Sequence, residues 1–105
     1  MNKTDVLSSK KCADQLRALA DADRLRIIAL LRDGEKNVSQ LTSDLEKSIA
    51  MVSHHLQILK HQGIVETEKH GRFVVYRLHP KVFTDAYSLD LGCCKFKFAR
   101  SAVHT

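Results

Sequence analysis

The chain has 105 residues, and its 17 Lys and Arg residues outnumber 12 Asp and Glu residues, which gives a net charge of +5. This length predicts a single domain over residues 1–105, too small to bury much surface alone, so a dimer that shares a core is expected. The basic balance favours a polyanionic partner. The odd number of cysteines, three in all, argues against a secreted disulfide scaffold and predicts thiols that are reduced at rest.

Several function classes are disfavoured by missing sequence features. No apolar run has the length needed to cross a bilayer, and the first five residues lead into no signal-peptide core, so we expect a cytoplasmic protein without a membrane partner. The sequence also has no Gly-rich phosphate loop, no His-Glu-x-x-His and no nucleophile elbow. These absences predict that the chain is not an enzyme.

Two helices are predicted in the first third of the chain. Apolar residues at helical spacing define the packed face of the first helix: Cys12, Leu16, Leu19 and Ala20. Asp21 or Asp23 then caps a second helix, which a wide apolar stripe marks as the central core helix and which Asp33-Gly34 ends. The charged positions expected to keep one edge of this helix in water are Arg24, Arg26 and Arg32.

A third, short helix and a fourth, longer one follow. Asn37 and Gln40 have the spacing of a capping box at the start of the third helix. Ser48 is a good N-cap and Gly63 a good terminator for the fourth helix, which has about four turns. Its predicted buried stripe consists of Val52, Leu56 and Leu59. Its opposite face, which carries no carboxylate, consists of Ala50, Ser53, His54, Gln57 and His61. A helix of this size fits a DNA major groove.

The hydrophobic period then changes from helical to strand-like. Residues 64–69 and 73–78 are rich in β-branched and aromatic side chains, and Gly71 supplies the tight turn between them. Residues 89–98 alternate like an additional C-terminal strand. The predicted fold class is therefore mainly α with a β-hairpin wing, the winged helix-turn-helix plan.

Four segments carry a resemblance to a known family: residues 19–28, residues 52–56, residues 63–65, and Gly71-Arg72 with Tyr76. Together they resemble the ArsR/SmtB family of bacterial repressors over residues 13 to 78. The family usually has Pro-Thr where this chain has Ala22-Asp23, a difference that changes a helix cap. The resemblance implies a homodimer that binds double-stranded DNA at an inverted-repeat operator, with an affinity that metals, metalloids or redox change alter.

The resemblance places DNA contacts on two elements. Candidate residues of the helix-turn-helix are Ser39, Gln40, Ser48, Ile49, Ala50, Ser53, His54 and Gln57. Candidate residues of the wing tip are Lys69, His70 and Arg72. Ile49 and Ala50 stand where the family usually has polar side chains, which shifts the expectation towards apolar contacts, phosphate anchoring and DNA shape. The alternative for the outer-face histidines and the wing cations is that they are only solvated, and His55 is expected on the packed side as a structural histidine.

The effector sites familiar from the family are absent. Asn37 and Ser39 stand where the metalloid site on the third helix would have two thiolates, and no Asp/His pair at helical spacing follows Pro80. The tentative effector residues are Cys12, Cys93 and Cys94. They could bind trivalent arsenic or antimony, provided that Gly92 permits an irregular backbone, or Cys12 could pair with one tail cysteine in a redox switch. The third alternative is that they are small core residues. No metal ligand set is otherwise predicted, and no cofactor is expected.

Residues 1–20 and 81–105 are the predicted dimerisation segments. The apolar side chains assigned to this interface, besides the first helix, are Val6, Leu7, Leu89, Leu91, Phe96 and Phe98. The predicted function is a dimeric, sequence-specific transcriptional regulator, a repressor released by an effector. The competing prediction is a winged-helix module that binds a protein partner and no specific DNA, and salt dependence distinguishes the two.

Overall fold

The computed structural model describes residues 3–85 and 87–99, with side chains from residue 9 onward, so the side chains of Val6 and Leu7 lie outside the described part. Four helices precede the wing, as predicted. The helices are α1 Lys3–Leu19, α2 Ala22–Leu31, α3 Val38–Leu45 and α4 Ile49–His61. The strands are β1 Lys36–Asn37, β2 Val65–His70, β3 Phe73–Leu78, β4 Ser88–Asp90 and β5 Lys95–Lys97. The architecture confirms the predicted winged helix-turn-helix. Within the described residues, no helix is both long and apolar enough to span a bilayer.

The hydrophobic core joins α2, α3 and α4 to the wing. The largest fully buried side chains are Ile27, Ile28, Leu41, Val52, Leu56, Leu59, Ile64, Val65 and Leu89. The predicted stripe of α4 is thus confirmed. Burying each such aliphatic side chain stabilises the fold by about 1.5–3 kcal/mol, so this stripe fixes which face of α4 is left to solvent.

Side-chain caps set where the helices begin. Asp21, one of the two predicted candidates, caps α2 by accepting a hydrogen bond from the backbone N–H of Arg24 at 3.0 Å. The capping box of α3 is confirmed, because the side chains of Asn37 and Gln40 each accept from the other's backbone N–H at 2.9 Å. Ser48 caps α4. Glu46 ends α3 in the left-handed conformation, with φ of 56°, and so turns the chain from α3 into α4.

The packed face of α1 differs from the prediction. Gln15, Ala18 and Leu19 are buried, whereas Leu16 is 37% exposed and Ala20 is exposed. The packed residues still recur at i, i+3 and i+4, but the stripe is turned by one residue. Small Ala18 lets α1 approach its neighbours closely, and this contact outweighs the larger hydrophobic area that the sequence pattern attributes to Leu16.

A three-stranded sheet holds the wing, in the order β1-β3-β2. The hairpin pairs His70 with Phe73 across a two-residue turn in which Gly71 has a φ of +64°. Glycine at the first central position with positive φ suits the right-handed twist of the two strands. Strand β1 pairs with β3, which ties the start of α3 to the wing. The sequence did not reveal β1, because two residues are too short to show a period.

The C-terminal segment forms two strands rather than the single strand predicted. Strands β4 and β5 pair antiparallel, and Gly92, with φ of +88°, lies in the connection between them. Leu89 and Leu91 are buried in the core of this chain. Their assignment to an open dimer interface is therefore wrong, because the hairpin folds back onto the domain and covers them.

Arg32 attaches this hairpin to the core. Its guanidinium carbon lies 4.5 Å from the ring centre of Tyr87 and 5.5 Å from that of Phe98. Its three side-chain nitrogens are buried without a hydrogen-bond partner in the structure, and burial lowers the pKa of Arg32 below its usual range. The expectation that Arg32 keeps an edge of α2 in water is therefore wrong. Two aromatic faces replace the water around the cation.

We predict that Asn37→Ala removes both halves of the capping box and lowers the free energy of unfolding by about 1 kcal/mol. In a domain of this size that loss corresponds to roughly 4–8 °C in Tm. Urea unfolding followed by circular dichroism measures it. Ser43→Ala, on the exposed face of the same helix, is the control and should change stability by less than about 0.5 kcal/mol. Equal effects of the two substitutions would contradict a capping role.

Candidate nucleic-acid interface

The helix-turn-helix presents one face of α4 to solvent. Ala50, His54, Gln57 and His61 are exposed, and Ser53 is half-buried beside them. The helix rises about 1.5 Å per residue, so its 13 residues span roughly 20 Å. Residues 49–61 include no Asp or Glu. The exposed face is therefore free of carboxylates that would repel a phosphate backbone.

The N-terminal end of α4 has a mixed character. Ile49 is 63% exposed and Met51 is 41% exposed, next to the capping Ser48. No acidic residue occupies the first turn, so the partial positive charge of the helix N-terminus is not offset there. This end can therefore make apolar contacts with base edges and accept a phosphate at its backbone N–H groups.

Most of the other predicted contact residues are also accessible. Ser39 and Gln40 are exposed at the start of α3, although the Oε1 atom of Gln40 is used in the capping box, which leaves its amide N–H groups as donors. Lys69, His70 and Arg72 are exposed at the wing tip. The structure thus leaves the predicted contact residues on exposed or half-buried surface. Their contact with DNA stays a prediction.

Charge on the wing is divided between its tip and its base. At the base, Arg77 lies 2.7 Å from both Glu66 and Glu68, so its charge is neutralised within the sheet. The His70 imidazole, 3.2 Å from Glu68, together with Arg77 holds the pKa of Glu68 below its usual range. Among the described side chains, Lys69 and Arg72 have no ion pair. They are the wing cations available to phosphates.

Arg24 joins three helices behind the exposed face. Its Nε atom donates to the carbonyl of Ala18 at 2.6 Å and its Nη2 atom to the carbonyl of Arg17 at 3.2 Å, so it holds the C-terminal end of α1. Its Nη1 atom lies 3.1 Å from Nδ1 of His55 in α4. The side chain of Arg24 is only 13% exposed. The expectation that it keeps an edge of α2 in water is wrong, because these three acceptors replace water.

His55 is buried, as predicted for a structural histidine. Since arginine can only donate, Nδ1 accepts from Arg24, and the proton of neutral His55 is assigned to Nε2. Nε2 lies 3.9 Å from a carboxylate oxygen of Asp21 and 3.9 Å from one of Asp23. The backbone N–H of Arg24, and then the charges of Arg24 and His55, hold the pKa of Asp21 below its usual range. With Nδ1 and Nε2 both engaged in this way, the group favours an ion-pair network over a metal site.

Cys12 of α1 and Cys93 of the β4–β5 connection form a disulfide, with Cα atoms 6.0 Å apart. Sγ of Cys94 is a free thiol that lies 3.7 Å from Sγ of Cys12 and 3.6 Å from Sγ of Cys93. We call Cys12, Cys93 and Cys94 the cysteine cluster. The expectation of three reduced thiols is wrong for this structure, because the turn at Gly92 brings residues 93 and 94 against α1.

Sequence reasoning identified the cysteines but not their arrangement. Its condition that Gly92 permit an irregular backbone is met, since both tail cysteines lie in the turn after a residue of left-handed φ. The alternative of core cysteines is wrong for Cys93, which is exposed, while Cys94 packs partly against the core. Arg24 was missed as a joining residue. Its signal in the sequence was a cation three residues after a helix-capping aspartate, which many exposed arginines share.

Comparisons with known proteins agree with this geometry. The family model described as bacterial regulatory protein, arsR family, matches residues 21–67. The transcriptional activator HlyU of Vibrio cholerae is 39% identical over 71 residues, which are 68% of this chain and 66% of HlyU. The structure of reduced HlyU superposes with a TM-score of 0.64 at 36% identity, covering 74% of this chain and 82% of that one.

Two further relatives give the same result. The arsenic resistance transcriptional regulator ArsR1 of Pseudomonas putida is 43% identical over 67 residues, which are 63% of this chain and 52% of ArsR1. The homodimeric winged helix-turn-helix DNA-binding domain of a Mycobacterium bovis protein has a TM-score of 0.72 at 28% identity, covering 77% of this chain and 75% of that one. The chain therefore spans between half and two thirds of the curated relatives HlyU and ArsR1.

We predict that Arg24→Gln lowers the free energy of unfolding by about 2–3 kcal/mol, because buried acceptors on α1 and α4 lose their donor. Arg26→Gln is a matched control on the same helix. Arg26 is 47% exposed and has one 3.6 Å ion pair with Asp23, so its loss should cost less than about 1 kcal/mol. Urea denaturation of both variants measures the difference, and similar losses would contradict the joining role of Arg24.

Proposed function

This chain belongs to the ArsR family of bacterial regulatory proteins, and on that premise we propose that it is a homodimeric transcriptional repressor that acts in the cytoplasm and releases an inverted-repeat operator in response to an effector. Its family consists of transcriptional regulators, so the chain is not an enzyme. Relatives named as an activator and as an arsenic resistance regulator occur among its matches. Repression is therefore part of the proposal.

One observation carries the DNA-binding part. The exposed face of α4 is polar, free of carboxylates and flanked by a wing whose unpaired cations, Lys69 and Arg72, lie at the tip. A groove-reading helix beside a cationic tip is the arrangement that combines base contacts with phosphate anchoring. A protein-binding surface would have no need to exclude carboxylates in this way.

The dimer is supported by residual exposure on α1. Leu16 is 37% exposed on the side of α1 away from the core, and the Mycobacterium bovis neighbour is a homodimer. A two-fold axis would set two copies of α4 in successive major grooves about 34–36 Å apart. The expected operator is therefore an inverted repeat.

Effector action is proposed at the cysteine cluster. Trivalent arsenic or antimony would bind its thiolates, and oxidation would form its disulfide. Either event changes the bond between α1 and the C-terminal hairpin. Arg24 holds the end of the same helix and contacts His55 of α4, so a shift of α1 has a direct contact to the DNA-reading helix.

The proposal is tested by selecting the reduced protein against random duplexes and retesting the enriched sequence by fluorescence anisotropy across salt. We expect an inverted repeat, with an affinity that falls steeply with salt. Lys69→Ala should reduce the slope of log K against log salt by about 0.9 if that side chain contacts a phosphate. Lys95→Ala, in the C-terminal hairpin, is the control and should leave the slope unchanged.

A lack of enrichment, with only weak and salt-labile binding, would overturn specific repression. The alternative would then be a winged-helix module that binds a protein partner, whose apolar interface would be insensitive to salt.

A separate prediction concerns release. We expect the reduced protein to bind the selected operator at least tenfold more tightly than the same protein treated with arsenite or with an oxidant. Anisotropy at one fixed salt concentration measures the three states. Equal affinity in all three would contradict an effector role for the cysteine cluster and leave DNA binding itself in place.

A further inference from the structure

We propose that the cysteine cluster, once reduced, binds a single trivalent metalloid ion through three thiolates, and that the Cys12–Cys93 disulfide closes this site. Oxidation and metalloid binding would then exclude each other on the same three sulfurs. The consequence for DNA rests on the function proposed above, whereas the binding itself does not.

The spacing of the sulfurs supports a shared ion. Thiolates bound to one ion at about 2.3 Å, in tetrahedral or pyramidal geometry, lie roughly 3.5–3.8 Å apart. Sγ of Cys94 already lies 3.7 Å from Cys12 and 3.6 Å from Cys93. Only the bonded pair, Cys12 and Cys93, must separate, and breaking their disulfide permits that movement. The reduced cluster needs little rearrangement elsewhere.

The position of Cys94 relative to the disulfide favours ion binding over thiol exchange. Thiol–disulfide exchange requires the attacking sulfur to lie on the extension of the S–S bond. Cys94 is almost equally distant from both bonded sulfurs, so it lies beside that bond. Three sulfurs at the corners of a triangle are placed to share one ion above them.

The ligand set selects the kind of ion. Among the described side chains, no imidazole or carboxylate lies within 4.8 Å of all three sulfurs. Zinc prefers a fourth protein ligand in a structural site, whereas trivalent arsenic and antimony are satisfied by three soft thiolates. Three thiolates also neutralise a trivalent centre, which suits a site where Cys12 and Cys94 are half-buried. Exposed Cys93 leaves an entry path.

Both steps balance in atoms and electrons. A thiol or phosphine reductant supplies two electrons to the Cys12–Cys93 bond, and the two sulfurs take up two protons. Each of the three thiols then gives its proton to one hydroxide of arsenous acid. Three As–S bonds replace three As–O bonds and three waters leave, with arsenic trivalent throughout.

The test measures arsenic uptake from sodium arsenite by the full chain, without DNA. A phosphine is the reductant, because a dithiol would itself chelate arsenite. We expect one arsenic per reduced chain after gel filtration, with loss of all three titratable thiols, and no arsenic on the oxidised chain. Cys94→Ser keeps the disulfide pair and should bind arsenite at least tenfold more weakly when reduced. Lys95→Ala, next in the chain, should bind as the wild type does.

Equal uptake by oxidised and reduced protein, or unchanged affinity in Cys94→Ser, would overturn the proposal. A circular dichroism melt of Cys94→Ser in its oxidised form checks that the variant folds. Oxidised Cys94→Ser keeps the Cys12–Cys93 bond, so a low uptake after reduction reports the missing third thiolate. A protein that takes up arsenite only when reduced but selects no duplex would support this site and overturn the proposed repressor function.

Discussion

The buried stripe of α4 is the constraint on which the rest of the structure depends. Val52, Leu56 and Leu59 are fully buried, which fixes the rotation of this helix about its own axis. With that face held by the core, the remaining face, free of carboxylates, has to point into solvent. The wing follows directly after α4, since Ile64 and Val65 continue the same core, and so its position relative to the exposed helix face is also set by packing. The interface is a consequence of which side chains leave water.

Apolar packing fixes the rotation of α4, and a polar contact fixes its neighbours. Buried His55 would be a costly polar group without a partner, and Arg24 provides one while also holding the last carbonyls of α1. A directional hydrogen bond of this kind resists small shifts in a way that contacts between aliphatic side chains do not. The result is a polar link between a helix that carries Cys12 and the helix that presents the DNA-facing residues. Structural and regulatory roles thus meet in the same few atoms.

The cysteine cluster depends on backbone geometry rather than on residue type. In a regular strand, neighbouring side chains point to opposite faces, which would keep Cys93 and Cys94 apart. Gly92 adopts a left-handed φ, the tail turns back as β4 and β5, and all three sulfurs meet beside α1. Arg32, stacked on Tyr87 and Phe98, holds this hairpin against α2. A tail without that attachment would leave Cys12 without its partner.

The sequence by itself determined the local features. The capping box of Asn37 and Gln40, the α4 stripe and the Gly71 turn each depend on residues close in the chain, where propensity and period decide, and the structure confirms them. The face used by α1, the two residues of β1, the closed C-terminal hairpin and the Cys12–Cys93 bond were decided by tertiary structure. Each of these joins residues far apart in sequence, up to a separation of 81 for the disulfide, where no local period carries information. The same holds for Arg24 and Arg32, which read as solvated charges in the sequence and became buried joints because the acceptors and aromatic rings that replace water come from other elements.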